Sequence, residues 1–191
     1  MSVLLETEAR LAELGVKPFH LPLGPLAPVV EGGFSAMNKG DWVVVGPRER
    51  IGAVLRGCPV ERLVDLHAGA RPYKVTPSTA APGTRALHAV GLALASSRPV
   101  LCFLGVASAA SGSFYEGLNA AVLTGAPVTF VVAMPVLTDD APVSRQVAAE
   151  PSAIAKTMGL KTSRVKATVS GVKRAVKQAR GVPSLVQVNL A

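Results

Sequence analysis

Two apolar runs constrain this chain more than anything else in it: PVLCFLG at 99–105 and PVTFVVAM at 127–134. Each is short and almost uninterrupted, which predicts a strand with apolar side chains on both faces. Such a strand has to be covered on both faces, and parallel sheets flanked by helices provide that. DWVVVG at 41–46, SRVKAT at 163–168 and PSLVQVNL at 183–190 read as further strands. Between them lie helical patterns. RERIGAVLRG and PVERLVDLHAG each end at a glycine (Gly57 and Gly69), RALHAVGLALASS is alanine-rich and predicted buried all round, and PSAIAKTMG has Pro151 near its start and Gly159 after its end. In VSGVKRAVKQARG, Val172, Ala175, Val176 and Ala179 form one face and Lys173, Arg174, Lys177 and Arg180 the other. Strands alternating with helices predict an α/β, doubly wound, mostly parallel sheet with helices on both faces.

Outside this alternation, residues 3–14 predict a first helix stopped by Gly15, 18–33 an irregular Pro/Gly-rich loop, and 70–84 a poorly ordered segment with three prolines. Ser113 and Glu116 have the S-x-x-E spacing of a capping box opening the helix SFYEGLNAAVLTG. The 191 residues suit one domain, 1–191, on a prior of about 100–200 residues per domain. Hydrophobic residues make up 49% and charged residues 17%, which excludes disorder. The uncharged run Gly117–Thr138 is broken by Asn119, Gly125, Pro127 and Pro135, so a helix, turn and strand explain it better than a membrane span. The acidic amphipathic start is no signal peptide, and two cysteines without metal-ligand spacing fit a cytoplasmic protein.

The net charge of +8 lies entirely in residues 151–191, which carry 8 bases and no acid. Lys173, Arg174, Lys177 and Arg180 form the possible basic partner surface, for an acidic protein, an anion or nucleic acid. No aromatic residues interleave it, which disfavours nucleic acid.

Residues 102–146, CFLGVASAASGSFYEGLNAAVLTGAPVTFVVAMPVLTDDAPVSRQ, resemble without a gap the alpha subunit of the thiamine-diphosphate-dependent 2-oxo acid dehydrogenases, the decarboxylating component of the pyruvate and branched-chain complexes. GDWVVVGPRERIGAVLRGCPVERLVDLHAG at 40–69 and HAVGLALA at 88–95 extend the resemblance to about 150 residues, with 1–40 divergent. It implies a thiamine diphosphate-binding fold. It also implies magnesium and thiamine diphosphate as cofactors, an oxidoreductase acting on the oxo group of 2-oxo acids, and assembly as a homodimer or as a hetero-oligomer with a beta-like subunit. The family's metal motif GDG falls on Gly105, Val106 and Ala107, so Val106 stands at the aspartate ligand. The family's Asn-Asn pair falls on Met134 and Pro135, so Met134 stands at the asparagine ligand. The acidic position of its SEG motif becomes Ser111, and a Tyr-Arg-Glu-His motif becomes Pro47, Arg48, Glu49 and Arg50. The glycine-rich segment that crosses the cofactor is shortened to 70–84, and the family's C-terminal histidine-bearing loop falls past Ala191.

Valine and methionine supply no oxygen to a hard cation. The expectation is therefore a pseudoenzyme: an alpha-subunit-like protein without catalytic residues, cofactor or metal, acting as a binding or assembly subunit. The alternatives are an active subunit completed by a beta-like partner, or a binder of anions or nucleic acid. Ser108, Ser111 and Ser113 surround the amino end of the 113–124 helix and form a possible anion site, against a reading as ordinary caps. Phe114, Tyr115 and Leu118 fit either a subunit interface or the domain's own core. Asp139 and Asp140 read as a solvated loop pair, His88 as a core histidine, His67 as a helix-end residue, and His20 as uninformative.

Overall fold

The computed structural model describes residues 2–17, 23–65, 68–78, 81–135 and 142–190. Five parallel strands form one sheet: β1 (Trp42–Val44), β2 (Val100–Gly105), β3 (Val128–Met134), β4 (Lys161–Lys166) and β5 (Ser184–Asn189). Their order is β1-β2-β3-β5-β4. Register aligns Gly105 with Ala133 and Met134 with Asn189, so the carboxyl ends of the three inner strands meet along one edge. β3 is buried at all seven positions, as its unbroken apolar sequence requires.

Helices α3 (Arg85–Ser96), α5 (Gly112–Thr124) and α6 (Pro151–Thr157) are reached from β1, β2 and β3 and lie on one face. There Ala86, Ala89, Phe114, Leu118 and Ala155 pack on Cys102, Leu104, Phe130 and Val132. The other face carries α1 (Val3–Glu13), α2 (Ala27–Ala36) and α7 (Val169–Ala179). Here Leu4, Leu11, Val30, Phe34, Val172 and Val176 cover Leu101, Phe103, Val131 and Val186. Each fully buried Leu, Val or Phe contributes about 1.5–3 kcal/mol. Phe114 and Leu118 are wholly buried in this chain's own core, which settles that alternative, and Tyr115 packs edge-on against Phe114 at 5.4 Å.

Several elements differ from the sequence expectation. Most of the predicted loop 18–33 that is described is helical: α2 begins at Ala27 with Pro28 in its first turn. Its glycines serve close approach, not turning. A Cβ on Gly32 would meet the Val169 carbonyl and Val172 Cβ at 2.8 Å, and one on Gly33 the Phe103 ring at 2.6 Å. The two predicted helices before residue 70 are 3-10 turns, Glu49–Arg56 and Val60–Leu63. Gly57 does close the first, at φ 84°. α3 is not buried all round: Leu87, His88 and Leu94 face outward, so His88 is no core histidine. The capping box is displaced, because α5 is capped at Ser111 and Ser113 is already inside the helix. α7 instead has a true side-chain cap, Thr168 accepting from the Gly171 N–H at 3.1 Å.

One long-range ion pair ties the ends of the fold together. The Arg180 Nε and Nη2 donate to Asp41 Oδ2 and Oδ1 at 2.7 and 2.9 Å, across 139 residues. Asp41 is 2% exposed and also accepts from the Asn38 N–H. The hydrogen bond to Asp41 raises the Arg180 pKa. Arg56 completes the corner, donating to the Asp41 and Tyr73 carbonyls with its guanidinium over the Phe34 ring.

The glycines make a paired test. Gly32→Ala forces α2 away from α7 and is expected to destabilise by about 1–3 kcal/mol despite better helix propensity. Gly91→Ala, in α3 with nothing within 4 Å of the new methyl, is expected to stabilise by about 0.5–1 kcal/mol. Urea unfolding of both variants reads the two signs, and equal effects would refute the close-approach reading.

Candidate functional site

Ligands of doubly wound sheets bind outside the carboxyl ends of the strands. At that edge β2 ends at Gly105 and runs straight into the short helix α4 (Val106–Ala109). Val106 is 8% exposed and Met134, ending β3, is 6% exposed; both belong to the apolar core shared with α3 and α5. Neither side chain offers an oxygen, so these two positions do not suit magnesium, which takes near-octahedral oxygen ligands. Among the described residues no group of three or more His, Cys, Asp or Glu could hold a metal ion. Ala107 is exposed, and Pro135 is half-buried beside Met134.

An arginine sits at the centre of this edge. Arg85, the first residue of α3, is 6% exposed. Its guanidinium lies between the loops that follow β1 and β2. Nη2 donates to Ser108 Oγ at 3.3 Å, Nε donates to the Pro82 carbonyl at 3.2 Å, and Nη1 lies 3.7 Å from Glu49 Oε2 without a hydrogen bond. Glu49 also accepts from the Gly46 N–H at 3.0 Å. Gly46 must lack a side chain here, since its Cβ would stand 2.1 Å from Arg85 Nη1. The neighbouring Arg50 is likewise buried, donating through Nε to the Leu63 carbonyl and through Nη1 to that of Pro47. Burial lowers its pKa.

The three serines are engaged from within. Ser108 is wholly buried under Arg85. Ser111 Oγ donates to the Ser108 carbonyl at 2.7 Å and shares a 3.3 Å hydrogen bond with Ser113 Oγ. Gly83 lies directly on both hydroxyls, where its Cβ would come within 1.9 and 2.4 Å. The segment before α3 thus packs against the amino end of α5, where Ser111 and Ser113 stay half-exposed and Gly112 exposed. Under the same edge, burial pushes the Cys102 thiol up to about 12, the nearby Arg85 guanidinium opposing and Glu49 reinforcing the shift.

The basic surface is only partly free. Arg174 and Lys177 are exposed and Lys173 is half-buried, but Arg180 is held by Asp41 and drops out of the predicted patch. Asp139, Asp140, His20 and His67 lie outside the described residues. Arg85 escaped the sequence reading, although an arginine opening an otherwise apolar helix was the available signal.

A similar fold is found among solved structures. Transketolase from Campylobacter jejuni superposes with a TM-score of 0.65 over 93% of this chain and 32% of that one, at 18% identity. The chain has a thiamine diphosphate-binding fold. In sequence it is similar to the 3-methyl-2-oxobutanoate dehydrogenase subunit alpha of Mycobacterium tuberculosis, in two strains, at 31% identity over 171 residues. The match takes in 81% of this chain and 46% of that subunit, so the chain spans about half the length of the curated relatives it matches. No protein-family model matches. Sequence similarity and fold together support kinship with the thiamine-diphosphate-dependent 2-oxo acid dehydrogenases. Among the described residues no helix is long and apolar enough to cross a membrane.

Two outcomes are expected. Glu49→Ala leaves the Arg85 guanidinium buried without its counter-charge and should cost about 3–5 kcal/mol in denaturant unfolding. Replacing both, Arg85→Met with Glu49→Gln, should cost less than that single change. For Cys102, the folded state holds the thiol proton more tightly than the unfolded chain. Its contribution to stability is therefore complete below the ordinary value of 9.0 and is lost as pH rises toward 12, by about 1.4 kcal/mol per pH unit. Iodoacetamide at pH 8 should leave Cys102 unlabelled until urea unfolds the chain, and rapid native labelling would contradict its burial.

Proposed function

We propose that this chain is a non-catalytic member of the 2-oxo acid dehydrogenase alpha-subunit family, with a degenerate cofactor motif, that serves as a binding or assembly subunit. The observation that carries the reading is the pair Val106 and Met134: the two positions matched to the family's metal ligands are buried, apolar and part of the core. The buried Arg85–Glu49 pair supports it, because it brings a fixed positive charge to the edge where the family places a cation. Gly83 seated on Ser111 and Ser113 supports it as well, since it narrows the room at that helix end for a diphosphate. Loss of chemistry with retention of the scaffold leaves association as the function. The named relative is a subunit, which supports a homodimer or a hetero-oligomer with a beta-like protein. Arg174 and Lys177, with Lys173 beside them, give this chain a basic face for an acidic partner.

The competing reading is a working subunit whose partner holds the cofactor, and the similarity over 81% of the chain favours it. Calorimetric titration with thiamine diphosphate and magnesium separates the two, on the chain alone and with any co-purifying protein. No magnesium-dependent heat is expected in either case. Tight magnesium-dependent binding in either case would overturn the non-catalytic reading.

A further inference from the structure

We infer that the pocket between the ends of β3 and β5 is a binding site for a small neutral ring bearing a carboxamide. The pocket measures about 500 Å³, within the span of about 300–1,000 Å³ usual for small-molecule sites. It opens on the face carrying α6, with Met134, Pro135, Val143 and Val147 forming apolar walls and Glu150, Gln187 and Asn189 a polar end.

That polar end is built, not incidental. Gln187 is 1% exposed in a strand otherwise buried and apolar but for Ser184 and its last residue. An amide at such a position is costly unless satisfied. Its Oε1 accepts from the Ser152 N–H at 3.2 Å, and its Nε2 donates both to Glu150 Oε2 and to Asn189 Oδ1, the latter at 3.0 Å. Ser152 Oγ in turn accepts from Arg164 Nε at 2.7 Å. One nitrogen thus holds a carboxylate and an amide side by side. Asn189 has its oxygen committed to Gln187, which assigns Nδ2 as the free donor. Glu150 has Oε2 committed to the same nitrogen, which leaves Oε1 as an acceptor. Among the described residues neither atom has a protein partner.

An acceptor beside a donor recognises a group carrying a donor beside an acceptor. The charge around it narrows the class. Glu150 repels an anion. A cation has to compete with Arg164, whose Nη2 already stands 3.8 Å from Glu150 Oε2. A neutral primary carboxamide satisfies both atoms, its N–H on Glu150 Oε1 and its carbonyl on Asn189 Nδ2, while a flat ring lies against the Met134, Val143 and Val147 walls. The inference rests on the proposed reading in one respect: Met134 and Pro135, at the family's metal position, form part of the wall, whereas the recognising groups Glu150, Gln187 and Asn189 lie outside the Arg85 cluster.

Nicotinamide is the probe, with nicotinate as its anionic isostere of the same shape. Both are titrated into the full ¹⁵N-labelled chain and followed by NMR. Nicotinamide is expected to shift the side-chain amide signals of Gln187 and Asn189 saturably, with nicotinate at least tenfold weaker. Glu150→Ala and Asn189→Asp alter exposed or half-exposed side chains, and each is expected to weaken nicotinamide at least fivefold while the remaining amide spectrum stays folded. Shifts scattered over the surface, equal affinity for nicotinate, or unchanged affinity in both variants would each overturn the inference.

Discussion

β2 and β3 lie in the middle of a parallel sheet with no face left to water, and every other element answers to that constraint. α3, α5 and α6 have to cover one side, and α1, α2 and α7 the other. With both faces closed, the carboxyl edge is the place left for loops and polar side chains. Asp41 and Arg180 then fasten the start of β1 to the end of α7, which holds the second layer against the sheet. A buried pair of this kind is weak evidence for net stability, but removing either member leaves a charge stranded. It therefore fixes one arrangement against others more than it adds to the total.

At the carboxyl edge the buried positive charge is carried by a side chain. A metal site brings a cation to the strand ends and needs oxygen ligands around it. Here Arg85 brings the cation covalently, Glu49 balances it, and Ser108 and the Pro82 carbonyl take its hydrogen bonds. An attached guanidinium carries no binding equilibrium, and its neighbours can be apolar on the remaining sides. Val106 and Met134 then become ordinary core residues, and Gly83 can settle onto the serine hydroxyls.

How much of this could be read from the sequence depended on range. β2 and β3 were legible because a strand apolar on both faces has few other uses, and the glycine stops at Gly15, Gly57 and Gly159 were legible because their positive φ is a local demand. α2 was not, because glycine and proline usually mark loops; Gly32 and Gly33 are set by α7 and Phe103, which lie far along the chain. Ser113 and Glu116 had the spacing of a cap, yet the helix begins at Ser111, where the Ser108 carbonyl takes the hydroxyl hydrogen bond. The apolar side chains at the two family metal positions, Val106 and Met134, were visible by resemblance. What fills the site was not, since the Arg85 contacts reach across 23 residues to Ser108 and join three loops.

The same logic separates the two polar clusters at the edge. Around Arg85 the charges and hydroxyls turn inward, and the guanidinium meets Ser108, Glu49 and the Pro82 carbonyl. Around Gln187 the buried amide faces both ways, satisfied toward Ser152 and used on its other side to align Glu150 and Asn189 at the wall of an open pocket. The Ser152 contact pins α6 to β5, and the bonds to Glu150 and Asn189 satisfy the two N–H groups of the buried Nε2. Asn189 is exposed and Glu150 stands half in solvent, so the same bonds order two side chains at the pocket wall. Ordering two solvent-facing side chains costs conformational entropy, about 0.5–2 kcal/mol for each. That cost is offset by satisfying the buried amide, and it leaves the two side chains held in place at a pocket whose wall includes Met134 and Pro135.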